Sequence, residues 1–168
     1  MGQMIDREEA KWQVEVTIDR LVHFYYHTVQ TLIAEFGEEE ARRLIQKIIA
    51  DFGADCGRAT RAQVEALGKE NSIVNHSLGK EIPPIAFESR KIATGSERVK
   101  MTEVTVCPYA RAFQELDFAR WGRLYCEIDH AKYSGYNERF VCHHDKNLLD
   151  GDDRCIIRVE DPEPPAGK

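Results

Sequence analysis

Several common signatures are missing from this chain. No apolar run approaches the roughly 20 residues that a membrane-spanning helix needs, and residues 1–6 show neither the basic start nor the apolar stretch of a signal peptide. The five cysteines are an odd number without a C-x-x-C pair, which argues against a disulfide-stapled secreted scaffold. There is no P-loop, G-x-G-x-x-G, G-x-S-x-G or H-E-x-x-H, so nucleotide-driven, serine-hydrolase and common zinc-protease chemistry lack support. Positive charge is also short. The 23 Lys+Arg stand against 29 Asp+Glu, and the net charge of -6 argues against nonspecific nucleic-acid binding.

What remains is an ordinary soluble composition, 42% hydrophobic and 31% charged over 168 residues. That length suits one hydrophobic core. The expectation is a single α+β domain over residues 1–160, a disordered Pro-rich tail over 161–168, and a cytoplasmic protein with reduced thiols.

Asp6-Arg7-Glu8-Glu9 reads as a helix start. Behind it Val14, Ile18, Leu21, Tyr25, Val29, Leu32 and Phe36 recur at helical spacing up to Gly37. A second stripe follows the acidic turn Glu38-Glu39-Glu40: Ala41, Leu44, Ile45, Ile48, Ile49, Phe52, Cys56 and Ala59, with Gly68 as the stop. The single-residue link predicts an antiparallel helical hairpin. Ile73, Val74 and Leu78 suggest a short helix, and Pro83-Pro84 an extended connection. Residues 87–93 and 98–106 read as strands around Gly95-Ser96. The second changes phase between Met101 and Val104, which predicts a bulge or a twist. Cys107-Pro108 turns a strand into a helix, a further helix covers 118–130, and Ser134-Gly135-Tyr136-Asn137 reads as a loop. Residues 139–144 and 154–159 complete an antiparallel sheet of about four strands with an inserted helical segment, on which the hairpin packs.

Three segments carry candidate chemistry. Pro108 suits a first helical turn, which puts Cys107 at the N-cap, where the helix dipole favours a thiolate over a thiol; a small buried hydrophobe is the plainer reading. Cys126, Asp129 and His130 share one helix face, suited to acid–base work or metal binding, unless they simply pack and cap. Gly151-Asp152-Asp153-Arg154-Cys155 opens a strand on which Cys155, Ile157 and Val159 share a face. On the preceding strand Phe140, Cys142 and His144 face one way and His143 the other. A zinc site from Cys107, Cys126, His144 and Cys155 is chemically open, although the spacing is not that of a zinc ribbon. Glu15, Asp19, His23 and His27 form a row on the first helix that reads as a solvated face or as a metal-binding one.

The order Cys107-Pro108-Tyr109, then Cys126-Glu127-Ile128-Asp129 leading to Gly135-Tyr136-Asn137, then Leu148-Leu149-Asp150-Gly151-Asp152-Asp153-Arg154-Cys155 resembles the L-2-amino-thiazoline-4-carboxylic acid hydrolase family. The junction Phe36-Gly37-Glu38-Glu39-Glu40-Ala41 is similar as well. The chain departs from the family at Ile156-Ile157, where an acidic-aromatic pair is usual, and at His144-Asp145-Lys146. The resemblance implies a hydrolase acting on a non-peptide C–N bond in a cyclic amidine or isothiourea, with an N-carbamoyl cysteine as the named product. It marks Cys107, Cys126, Asp129, Asp152 and Cys155.

On that basis Cys107, Asp129 and Cys155 are the expected catalytic residues, with Cys107 as nucleophile and Asp129 as acid/base. Cys126, Asp152, Asn137 and Tyr109 are expected to bind substrate, and Arg111 or Arg139 to hold a carboxylate. No cofactor is expected, nor a nucleic-acid or membrane partner; the partner is a small molecule, with a homo-oligomer through the N-terminal helices. The other reading is a small-molecule-binding sensory domain similar to the 4-vinyl-reductase type, with zinc on Cys107, Cys126, His144 and Cys155.

Overall fold

The computed structural model describes residues 5–79 and 82–162. Helix α1 (Arg7–Phe36) starts where the Asp6 carboxylate accepts the Glu8 N–H at 3.1 Å. Gly37, at φ +80°, reverses the chain into α2 (Glu38–Ala66). The expected hairpin is present, and the one residue between the helices needs the backbone freedom of glycine.

The sheet is antiparallel, in the order β1 (Glu88–Ile92), β2 (Val99–Val106), β4 (Cys155–Glu160), β3 (Val141–Lys146). The register of β2 is unbroken from Met101 to Val104, where a bulge or twist was expected, and the one bulge against β1 lies just beyond, at Thr105. Glu88 pairs with Val106 and Ser89 with Val104, so Thr105 has no partner on β1. A second bulge at Asp145 separates His144, opposite Ile157, from Lys146, opposite Ile156.

Three local expectations were wrong. Pro83-Pro84 leads into a 3-10 turn over Pro84–Ala86 rather than an extended stretch. The helix expected over 118–130 is two helices, α4 (Ala119–Tyr125) and α5 (Ile128–Tyr136), broken at Cys126-Glu127. Ser134, Gly135 and Tyr136, read as loop, are the last turn of α5. The reason is a close helix crossing. A Cβ on Gly57 of α2 would meet the Lys132 carbonyl oxygen at 2.1 Å, and one on Gly135 would meet the Ala54 carbonyl oxygen at 2.6 Å. Gly135 therefore serves helix packing and not a turn.

The core has two parts. Ile18, Val22, Tyr25, Ile45, Phe113 and Trp121 join the hairpin to α3 (Pro108–Glu115) and α4. Complete burial of a side chain such as Phe113 contributes roughly 1.5–3 kcal/mol. Val64, Tyr133, Tyr136, Phe140, Cys142 and Val159 join α2, α5 and the sheet. Tyr125 of the first part leads directly into Cys126, and Cys142 of the second lies two residues from His144. Beyond β4, Asp161 and Pro162 stay tied to Arg98, whose carbonyl accepts the Asp161 N–H at 2.9 Å. The rest of the expected disordered tail, 163–168, lies outside the described residues. No helix among the described residues is long and apolar enough to cross a membrane.

Candidate functional site

The structure brings the cysteines of the three segments together. Cys107 follows β2 and is the N-cap residue of α3, with Pro108 in the first turn. Cys155 starts β4 opposite Val104 of β2, which places it beside the same strand end. Cys126 sits at the break between α4 and α5. The charge states of Cys107, Cys126 and Cys155 all respond to Asp129, that of Cys107 also to Cys155, and that of Cys126 to Cys107.

The thiols do not rest as thiolates. Burial pushes Cys107 up to about 11. The Tyr109 and Ala110 amides pull partly the other way, but the sulfur makes no capping hydrogen bond. Burial likewise takes Cys126 up to about 12, against a hydrogen bond from the Asn147 side chain. Cys155 is raised by burial too, although its Sγ accepts the Leu148 N–H at 3.4 Å. The helix-dipole argument for a Cys107 thiolate thus loses to desolvation: the partial charge of an eight-residue helix does not offset what a half-buried sulfur loses in hydration.

Asp129 is the opposite case. Burial alone would raise its carboxyl, but Lys132 and His144 more than offset it and hold the group well below the usual carboxylate range. Lys132 Nζ lies 3.0 Å from Oδ1 and His144 Nε2 lies 3.2 Å from Oδ2. Both oxygens are therefore occupied and anionic. The neighbouring carboxylate, Glu127, holds His130 Nδ1 at 2.8 Å and Arg123 at 2.5 Å. The His130 and His144 rings stack at 5.0 Å.

The other expected positions divide. Tyr109 belongs with the cluster: its ring stacks on Tyr125 at 5.2 Å, and its charge state responds to both Cys107 and Asp129. Asp152 accepts the Asn147 N–H at 2.8 Å and shapes the turn before β4. Asn137 lies at the far end of α5, where its side-chain amide bonds the Asn71 carbonyl at 2.9 Å. Arg111 is paired with Glu15 and Glu115, and Arg139 with Asp161. Arg123 is the guanidinium felt by Cys126 and Cys155, held between Glu127 and Asp150.

Sequence reasoning missed Lys132, Asn147 and Arg123. Lys132 had a usable signal, since it stands three residues after Asp129 on one helix face. Asn147 had a weaker one, as an Asn capping a short turn; its Oδ1 accepts the Leu149 N–H at 2.9 Å.

The metal readings do not find a ligand shell. Among the described residues no three of His, Cys, Asp and Glu are grouped so as to hold an ion. Cys107, Cys126, His144 and Cys155 are therefore not grouped as such a set among the described residues. On α1, His23 Nδ1 is spent on the Asp19 carbonyl at 2.9 Å, on an exposed face.

A family model described as L-2-amino-thiazoline-4-carboxylic acid hydrolase matches residues 16–159. No curated protein and no solved structure matches the chain. The match runs from the hairpin through all three cysteine segments to the last core residue of β4, so the chain belongs to the L-2-amino-thiazoline-4-carboxylic acid hydrolase family.

Proposed function

We propose that this chain hydrolyses a small cyclic amidine or isothiourea, of the kind its family is named for, at the cluster of Cys107, Cys126, Asp129 and Cys155. The observation that carries the reading is Asp129. It is an anionic carboxylate set among three uncharged thiols and the stacked Tyr109 and Tyr125 rings. A planar amidinium pairs well with a carboxylate, and soft apolar walls suit its faces and a ring sulfur.

The chemistry is addition of water across the ring C=N bond. The water oxygen bonds the carbon between the heteroatoms, one water proton goes to a base, and the ring nitrogen is protonated. From a 2-amino-thiazoline, an N-carbamoyl product then forms when the C–S bond breaks and sulfur leaves. From a cyclic amidine without sulfur, the C–N bond breaks instead. The protonated resting state of the thiols favours direct attack by water, with Cys107 and Cys155 lining the site, over a covalent adduct on Cys107. Arg123 is the cation best placed for a substrate carboxylate. The scheme draws on water and side chains alone, and five free thiols suit a cytoplasmic setting.

The test is turnover of L-2-amino-thiazoline-4-carboxylate in 18O-labelled water. New free thiol and label in the carbamoyl oxygen are expected, and Cys107→Ala retains turnover. A substrate-derived adduct on Cys107 after rapid quench would replace the water route with the covalent one. Absence of any turnover would remove this substrate class.

A further inference from the structure

We infer that His144 is the proton acceptor of this site and that Asp129 is its positioning residue. The inference rests on the hydrolytic reading above and assigns the base which that reading leaves unnamed.

His144 lies on β3, on the face it shares with Cys142, and its side chain is only 2% exposed. Its Nε2 faces Asp129 Oδ2 at 3.2 Å. An ionised carboxylate only accepts hydrogen bonds, so Nε2 carries the proton and Nδ1 of the neutral ring carries the lone pair. That Nδ1 is buried and meets no donor among the described residues. A buried acceptor without a donor is uncommon in a folded protein and requires an explanation. A water molecule that donates to Nδ1 while its oxygen faces an electrophilic carbon supplies one.

The other groups nearby are less suited. Asp129 has both oxygens engaged and is held strongly in its anionic form, which makes it a weak base. Lys132 is bound to that carboxylate as an ammonium and has no lone pair to offer. His130 repeats the arrangement, with Nδ1 on Glu127 and a buried Nε2 without a donor, but its side chain is 41% exposed. Stacked on His144, it has a lowered affinity for a proton, through burial first and then His144, with Glu127 acting the other way. An imidazolium formed on His144 lies against Asp129. The titratable and charged groups around His144 are Asp129, Lys132 and His130 on α5, Glu127 at the α4–α5 break, and Asp145 on its own strand. Arg158 of β4 is paired with Asp145.

Two measurements on the full chain decide the matter. Nitrogen-15 NMR of the histidine rings at neutral pH should show His144 with Nε2 protonated and Nδ1 bare. His144→Gln keeps a side-chain N–H for Asp129 but has no basic nitrogen. With L-2-amino-thiazoline-4-carboxylate as substrate it should lose about 10²–10⁴-fold in kcat, with KM little changed. Asp129→Asn should lose less and move the acid limb of the pH–rate profile to lower pH, an effect that a merely structural role does not produce. A proton on Nδ1 of the resting protein overturns the inference, as does a His144→Gln enzyme within threefold of wild type. If the unaltered protein leaves the thiazoline untouched, the substrate reading falls, and the ring-nitrogen assignment alone decides the inference.

Discussion

Gly57→Ala tests the contact that places the site. Helices α2 and α5 touch backbone to backbone there. An added methyl would lie 2.1 Å from the Lys132 carbonyl oxygen, 2.7 Å from the Tyr136 nitrogen and 2.9 Å from the Gly135 carbonyl carbon. All three are backbone atoms, so no rotamer change relieves the clash, and the helices must part by about 1 Å to restore ordinary contact. Two effects oppose each other. In an open helix Gly→Ala stabilises by about 1 kcal/mol through propensity. Forcing a methylene-sized group into a packed contact costs about 1–3 kcal/mol and sometimes more. Here the clash is with rigid backbone, so the upper end applies and a net loss of about 2 kcal/mol is expected. Urea unfolding should show a midpoint lower by roughly 1 M with the slope unchanged. Activity should fall further than stability accounts for, because α5 also carries Asp129, and its displacement lengthens the 3.2 Å contact to His144. Gly95→Ala is the control: it sits at φ +69° with open space around it, so it should cost about 1 kcal/mol and leave turnover intact. A Gly57→Ala protein at least as stable as wild type would refute the close crossing of α2 and α5.

Two further outcomes follow from buried titratable groups. With its thiol pushed up to about 11 by burial, Cys107 should react with iodoacetamide at pH 7 more slowly than a free cysteine peptide, and its rate should climb steeply only above about pH 9; fast labelling at pH 7, located by peptide mass spectrometry, would contradict the thiol state. His76 is buried between Tyr133 and Tyr136, and burial, then Lys100 and Lys132, lower its pKa to about 3. The unfolded chain therefore binds a proton below about pH 6.5 that the folded chain refuses, so stability falls as pH drops from 6.5 toward 3, by at most about 1.4 kcal/mol per pH unit. His76→Phe should remove that part of the slope in urea titrations at successive pH values; an unchanged slope would show that His76 does not carry it.

The strands and the hairpin were legible because their signals are local. Alternation over a few residues found all four strands, although the bulge in β2 lies at Thr105 and not between Met101 and Val104, where the phase slips. The face of α2 was less legible. Large apolar residues suggested a stripe through Ile48 and Phe52, yet both are exposed. The buried line runs through Ala41, Ile45, Ile49, Gly53, Gly57, Thr60 and Val64. It narrows to glycine because the partner is another helix at backbone distance, and a hydrophobicity pattern gives a missing side chain no weight. The same blindness turned Gly135 into a loop residue. Asn137 was placed with the site through the resemblance, and the nine residues of α5 put it about 12 Å from Asp129.

Within the site, spacing revealed membership better than role. Cys126-x-x-Asp129 and Cys142-x-His144 are short-range patterns; the first was read as one helix face, yet the helix breaks at Cys126-Glu127, while the second keeps Cys142 and the His144 side chain buried. Whether a carboxylate takes or holds a proton depends on what meets its two oxygens, and that is a tertiary fact. Lys132 comes from the next turn of the same helix, whereas His144 comes from a strand 15 residues away. Once both are in place Asp129 can orient and stabilise, but it is poorly suited to exchange protons. The lone pair free to do so sits on His144, whose other nitrogen the same carboxylate has fixed. A similar reversal applies to Cys107. Its N-cap position promised a thiolate, and the close packing that places it beside Asp129 and Cys155 also removes the water a thiolate needs. Both roles therefore changed for one reason: in a compact site, desolvation and the partner already in contact outweigh the weaker fields of a helix terminus.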